Sequence, residues 1–204
     1  KGIIQALGEN KAHVVGHDWG GVVAWMFAVA HPLHLDKLVV MNAPHPAVFA
    51  SNILSNPRQM LRSWYVFFFQ IPRLPEMALR SRNFRAIRRS FTGWAIDKSA
   101  FSEADLDEFA RAASRPGALT GGINYYRAMF KNRNLLRIRK SFPPIDRPTL
   151  LIWAERDRAL GKELTYGLNP YFTRSLTMRY IPNCSHWVQQ EQPLLVNQFL
   201  DEFL

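Results

Sequence analysis

The sequence predicts an α/β protein, a parallel sheet flanked by helices with a helical lid inserted between two strands. Three observations predict it. A strand, a helix and a second strand fit residues 12–41; strand patterning is absent from Ala47 to Pro144; and it returns after Pro143-Pro144. The chain accordingly divides into a core, residues 1–46 and 145–204, and a lid, residues 47–144.

Each element has its own justification. Ile3, Ile4 and Leu7 mark the end of a helix over 3–8, and the apolar run Ala12-His13-Val14-Val15 opens a strand over 12–17. A helix over 20–31 stops at His31-Pro32, because proline disfavours helical geometry in the residue before it. Leu38-Val39-Val40-Met41 reads as a buried strand ending at Asn42-Ala43-Pro44-His45-Pro46. Strand, helix and strand at this spacing make a βαβ unit, hence parallel pairing.

The lid carries helical patches, much arginine and the aromatic run Trp64, Tyr65, Phe67, Phe68, Phe69. Ser102-Glu103-Ala104-Asp105 begins a side-chain-capped helix with Leu106, Phe109, Ala110 and Ala113 on one face, ending at Arg115-Pro116-Gly117. A second helix is expected from about Gly122, carrying Tyr125, Tyr126 and Met129. In the returning core, Thr149–Trp153 and Leu176–Ile181 are strands, and Lys162–Leu168 is a short helix or turn. Asn183–His186 is a loop, and Pro193–Leu204 is an amphipathic helix with Leu195, Phe199 and Phe203 inward.

Composition narrows the class. With 204 residues, 48% hydrophobic and 21% charged, the chain is an ordinary globular protein with room for one core and a lid. The single cysteine, Cys184, excludes an internal disulfide and any multi-cysteine metal site, and is compatible with a reducing compartment. No apolar run reaches spanning length, and Lys1-Gly2-Ile3 is not a signal peptide. The chain starts without methionine inside a helical pattern, so it is expected to come from the middle of a longer protein. Its address is expected to be cytoplasmic or membrane-associated, with any targeting segment upstream.

The net charge of +10 is concentrated between Arg58 and Lys140, with Arg80, Arg82, Arg85, Arg88 and Arg89 close together. The favoured reading is a solvated lid surface. The alternative is peripheral contact with an anionic membrane. No nucleic-acid-binding motif accompanies the charge.

The chemistry centres on Gly16-His17-Asp18-Trp19-Gly20-Gly21, between the first strand and its helix. That is the setting of a nucleophile elbow, where a strained turn raises one side chain above the sheet. Gly16 and Gly20 are expected to be required because a Cβ at either would crowd the reversing backbone. The central residue is an aspartate. A serine attacking a saturated carbon would leave an ether that water does not readily cleave, whereas a carboxylate leaves an ester. Asp18 therefore points to an alkyl electrophile such as an epoxide or a haloalkane.

Three loops at the carboxyl ends of predicted strands present Asp18, Asp157 and His186, in the order nucleophile, acid, histidine. Asp18 would attack, neutral His186 would deprotonate water, and Asp157 would hold the histidine tautomer. Read singly, Asp157 could simply end a turn and His186 could be an ordinary loop histidine. His17 reads as structural and Cys184 as packing.

The chain resembles the epoxide hydrolase family of the α/β-hydrolase superfamily across nearly its whole length. The resemblance is carried by Gly16–Gly21, Asn42-Ala43-Pro44-His45-Pro46, Ala154-Glu155-Arg156-Asp157 and Asn183-Cys184-Ser185-His186-Trp187. Tyr65-Val66-Phe67-Phe68-Phe69-Gln70 and Asn124-Tyr125-Tyr126-Arg127 in the lid look like the family's too. The resemblance implies a partial α/β-hydrolase fold acting on a small apolar epoxide with water, without metal or organic cofactor. It further implies that Tyr65 and Tyr126 donate protons to the opening ring. Trp19 would serve the oxyanion or the substrate, and Phe67 and Phe68, with Phe69, would line an apolar channel. Tyr65 read alone is equally an aromatic core residue of the lid. The alternatives are a haloalkane dehalogenase and a non-catalytic ligand-binding member of the same fold.

The departure from the family is upstream. Its His-Gly-x-Pro loop, which donates a second oxyanion N–H, and the strands before the elbow strand are not in this sequence. The chain is thus expected to be a C-terminal portion, inactive or slowed alone because a donor is missing, and poorly folded or aggregation-prone along an uncovered strand edge.

Overall fold

A computed structural model describes residues 1–131 and 134–204. Positions 132 and 133, within the span read as lid, lie outside the described residues. The core is a four-stranded, all-parallel sheet in the order β1 (Ala12–His17), β2 (Leu35–Met41), β3 (Thr149–Ala154) and β4 (Leu176–Ile181). α1 (Gly2–Ala6) precedes β1, and α2 (Trp19–Ala30) links β1 to β2. β2 begins three residues earlier than its apolar run: Leu35 pairs with Ala12 of β1, and Asp36 and Lys37 lie within the strand where the register shifts. Two charged residues concealed that start.

Strand periodicity divides the core into two faces. Leu38, Val40, Leu151 and Trp153 turn to the side occupied by Trp25 and Ala28 of α2. Val39, Met41, Leu150, Ile152 and Ala154 turn to the other, against Val188 of α10 (Val188–Glu191) and Val196 of α11 (Pro193–Phe203). From Leu38 onward β2, like β3, is covered on both faces and reads as a continuous apolar run. β1 lies at the sheet edge, and Val15 is 43% exposed there.

Between β2 and β3 the described chain is helical: α3 (Pro46–Ser55), α4 (Pro57–Arg62), α5 (Trp64–Phe68), α6 (Leu74–Thr92), α7 (Glu103–Ser114), α8 (Ala118–Phe130) and α9 (Asn134–Lys140). α7 starts with the expected cap: Ser102 and Asp105 exchange reciprocal side-chain-to-backbone bonds, and Leu106 and Ala110 are buried. α8 starts at Ala118, four residues before the expected Gly122. Gly117, at φ 80°, turns the chain into the helix at once, and Gly121 and Gly122 ride within it.

α6 is two helical pieces. Ser81 is extended, and Arg82, Asn83 and Phe84 have φ of 50°, 52° and 57°, so the helix is interrupted there. Arg80, Arg82, Arg85 and Arg89 are exposed on it, while Arg88 pairs with Asp107 of α7. Among the described residues no helix is long and apolar enough to cross a membrane.

Candidate active site

Parallel register brings the strand ends level: His17 pairs with Met41, Met41 with Ile152, and Ala154 with Ile181. The next residues of each strand therefore emerge on one rim. Asp18 follows β1, Asn42 follows β2, Asp157 lies three past β3, and His186 lies in the loop after β4.

Asp18 occupies a sharp bend, with φ 51° and ψ −123°. A non-glycine residue there costs about 1–3 kcal/mol and persists only when its surroundings hold it. Its N–H donates to the Met41 carbonyl (3.2 Å), and its own carbonyl accepts from Val22 N–H (3.0 Å) at the start of α2.

The glycines around it differ in role. A Cβ on Gly16 would lie 2.4 Å from the Gly20 carbonyl oxygen, and one on Gly21 would lie 2.4 Å from the Ala43 Cβ. A Cβ on Gly20 meets nothing within 4 Å. The expected steric need at Gly16 is met; the one expected at Gly20 belongs to Gly21, where α2 crosses the turn after β2. Gly16→Ala and Gly21→Ala are each expected to destabilise by about 1–3 kcal/mol, with Gly20→Ala neutral within about 0.5 kcal/mol. Chemical denaturation of the three variants checks the ranking.

His186 bridges the two carboxylates. Its Nδ1–H donates to Asp157 Oδ2 at 2.7 Å, and its Nε2 lies 3.6 Å from Asp18 Oδ1. The imidazole is 6% exposed and the Asp157 side chain fully buried, whereas 41% of the Asp18 side chain stays open to the cavity. Burial opposes charge on His186. The Asp157 carboxylate and its hydrogen bond, helped by Asp18, outweigh that and push its pKa up to about 10. Burial likewise opposes ionisation of Asp18, but His186, His17 and the Trp19 backbone N–H together hold its pKa below the usual carboxylate value.

The support around this trio is largely polar and buried. Asp157 Oδ1 accepts the N–H groups of Ala159 (2.8 Å) and Leu160 (3.0 Å). Its Oδ2 also accepts from Asn42 Nδ2 at 2.8 Å, and Asn42 Oδ1 accepts the Ala154 N–H at 2.9 Å. Asn42, fully buried with φ 39°, thereby ties the end of β2 to the acid and to the end of β3. In the sequence Asn42 stands only as part of the resemblance, with no role of its own. A polar residue closing the apolar run Leu38–Met41 was the available signal.

His17 Nε2–H donates to the His186 carbonyl (2.8 Å), and its Nδ1 accepts from Gln189 Nε2 (3.2 Å). Burial and then the neighbouring His186 charge lower its pKa to about 4, so it is a neutral brace for the loop. Cys184 is buried, and burial followed by Glu191 raises its thiol to about 12, which leaves it an inert packing residue.

Above the rim, two lobes of a cavity meet where Asp18, Tyr65 and Tyr126 line both. The narrow lobe, about 90 Å³, is apolar, with Trp19, Phe49, Met129 and Leu135 in its wall. The wide lobe, about 590 Å³, runs past Phe68, Phe69, Trp94 and His186. The Tyr65 and Tyr126 rings stand edge to face, 5.7 Å apart, and Trp19 meets Tyr126 edge to face at 5.0 Å. Burial raises both phenols, followed for Tyr65 by Tyr126 and Asp18 and for Tyr126 by Asp18, so both hydroxyls keep their protons. Tyr125 is half exposed and packs at a tilt against Trp19 outside the two lobes.

Phe67 departs from expectation. It lines neither lobe, is 38% exposed and packs on Phe130. The cause is helical phase: with Tyr65 facing the cavity, Phe68 and Phe69 follow at three and four residues, and Phe67 falls on the outer face of α5.

These features agree with what the chain is similar to. The alpha/beta hydrolase family matches residues 1–199. Epoxide hydrolase 4 of Mus musculus is 38% identical over 208 residues, covering all of this chain and 56% of the mouse protein. Epoxide hydrolase 3 of Xenopus tropicalis is also 38% identical, over 99% of this chain and 55% of its own. The chain thus spans about half the length of these curated relatives. The crystal structure of Bacillus megaterium epoxide hydrolase in complex with an inhibitor superposes with a TM-score of 0.87 at 27% identity, over 99% of this chain and 72% of that one. The strand-end placement of the site, the family match and these relatives lead to one assignment: the chain belongs to the alpha/beta hydrolase family.

Proposed function

We propose that this chain supplies the reacting groups of an epoxide hydrolase, which converts an apolar epoxide and water to a vicinal diol. One observation carries the reading: a carboxylate at the elbow faces an imidazole on one side and two half-buried, protonated phenols on the other. An Asp18 oxygen bonds to a ring carbon as that carbon's bond to the ring oxygen breaks. The ring oxygen takes a proton from Tyr65 or Tyr126. Neutral His186 then removes a proton from water, whose oxygen adds to the Asp18 ester carbonyl. The acyl C–O bond breaks, the departing diol oxygen takes the proton held by His186, and the proton left on Asp18 returns to the tyrosinate. Trp19 N–H is the oxyanion donor this chain supplies.

The site lies at the junction of the two lobes, so the epoxide ring would sit mid-substrate, its smaller substituent in the narrow lobe and its larger one in the wide lobe. Haloalkane dehalogenation is the competing reading, since a halide needs only N–H donors and Trp19 lines the same cavity. The paired phenols favour the epoxide.

Oxygen labelling tests the mechanism. One turnover in ¹⁸O-water is expected to release unlabelled diol and leave the label in the Asp18 carboxylate, read by peptide mass. Labelled diol in the first turnover would mean direct attack by water. No diol at all from the complete protein would favour a ligand-binding role.

For the arginine-rich face of α6 the proposal is solvation. At physiological salt the chain is expected to sediment equally with neutral and phosphatidylserine vesicles. Preferential sedimentation with the anionic ones would establish membrane docking instead.

A further inference from the structure

Glu191, in α10, is a buried carboxylate outside the reacting trio, 5% exposed. All of its acceptor capacity is committed. Oε1 accepts the Ser185 N–H (3.0 Å) and the Ser185 hydroxyl; Oε2 accepts the N–H groups of Ile96 (2.7 Å) and Asp97 (3.0 Å). Ser185 immediately precedes His186, and Ile96 and Asp97 lie in the bend between α6 and α7 of the helical insertion. The carboxylate therefore joins the histidine loop to the insertion. A second joint lies on the other side of His186: Trp187 Nε1–H donates to the Ser90 carbonyl (3.1 Å), and its ring stacks on Phe91 at 4.4 Å. His186 is thus held between two attachments to the insertion that roofs the cavity.

We infer that Glu191 is a positioning residue that latches the helical insertion to the general base, so that the seating of the insertion sets the placement of the His186 imidazole. This rests on the epoxide hydrolase reading. Chemistry makes the dependence selective. Alkylation of Asp18 uses the carboxylate and the phenols, none of which Glu191 touches. Ester hydrolysis uses the imidazole, whose Nδ1–Asp157 bond and reach to water depend on where the loop lies. A misplacement of about 1 Å can cost on the order of a hundredfold in such a step.

Glu191→Gln keeps the size of the side chain but turns an NH₂ toward one pair of donors, so one arm of the latch is lost whichever way the amide points. In single-turnover measurements on the complete protein, Glu191→Gln is expected to alkylate within about twofold of the native rate and to hydrolyse its ester at least about tenfold more slowly. The alkyl-enzyme should then accumulate, as intact mass shows. The pH midpoint of hydrolysis is expected to move down, because an imidazole loosened from Asp157 loses the partner that holds its pKa up. A purely structural defect would lower both rates together and leave that midpoint in place. Ser185→Ala, which removes one of the four donors, is expected to slow the same step by a smaller factor. Unchanged hydrolysis in both variants, or parallel loss of both rates, would overturn the latch. If His186→Gln shows no adduct either, the epoxide hydrolase reading itself has failed, a result distinct from failure of the latch.

Discussion

His186→Gln is expected to reduce diol formation by about a thousandfold or more and to accumulate one alkyl group per chain on Asp18. Glutamine fills similar space and can still meet Asp157 Oδ2 through its amide, so the buried acid keeps a partner. It has no basic nitrogen to take a proton from water. Ring opening needs an ionised Asp18, and Asp18 is held below its usual pKa in part by His186. Some slowing of the first step is therefore expected as well, far smaller than the loss of the second. Intact mass under saturating epoxide should show the substrate's mass added; an unmodified chain would remove the covalent mechanism.

The ionisation of His186 gives this prediction a pH dependence. With both carboxylates charged, its pKa stands at about 10, so the free site holds an imidazolium at neutral pH. An imidazolium cannot accept a proton from water. Once Asp18 becomes an ester its charge is gone, and with it one of the groups holding the histidine's pKa up; Asp157 remains. The histidine pKa must then fall, and hydrolysis should rise with pH through a midpoint below about 10. Alkylation arms its own second step. In native protein this appears as a pH-rate profile for ester hydrolysis with a rising limb that is absent from His186→Gln.

The meeting of Asp18, Asp157 and His186 was legible in the sequence because it depends on backbone alone. A parallel strand ends in a loop at one rim, and three polar loops followed three apolar strands. What remained illegible depends on rotation and on long-range pairing. Phe67, Phe68 and Phe69 are chemically equal in the sequence, and only the docking of α5 decides which of them faces away. The interruption of α6 at Ser81–Phe84 carries no proline or glycine to announce it. Asn42 and Glu191 each bond to residues more than 90 positions distant, which no local pattern reports. Gly20 and Gly21 are adjacent, and the crowded one is identified only by Ala43 arriving from the next strand.

Replacing both Tyr65 and Tyr126 by phenylalanine is expected to lower the rate of Asp18 alkylation by an epoxide about a hundred- to ten-thousandfold, the range general acids supply. The reason lies in the leaving atom. Ring opening leaves an alkoxide, a stronger base than any group lining the cavity, in a site walled by apolar side chains. Two phenols kept protonated by burial are the donors positioned at the junction of the lobes. Each single variant should lose much less, since the remaining hydroxyl still reaches the same cavity. Because both rings pack against other aromatics, phenylalanine preserves their packing, and the double variant should keep its melting temperature within a few degrees. A haloalkane expels a halide that needs no proton, so its attack on a haloalkane should hardly change. Near-native epoxide opening by the double variant would strip the tyrosines of their role and return the site to the dehalogenase reading. A loss confined to the epoxide would tie the phenols to ring opening itself.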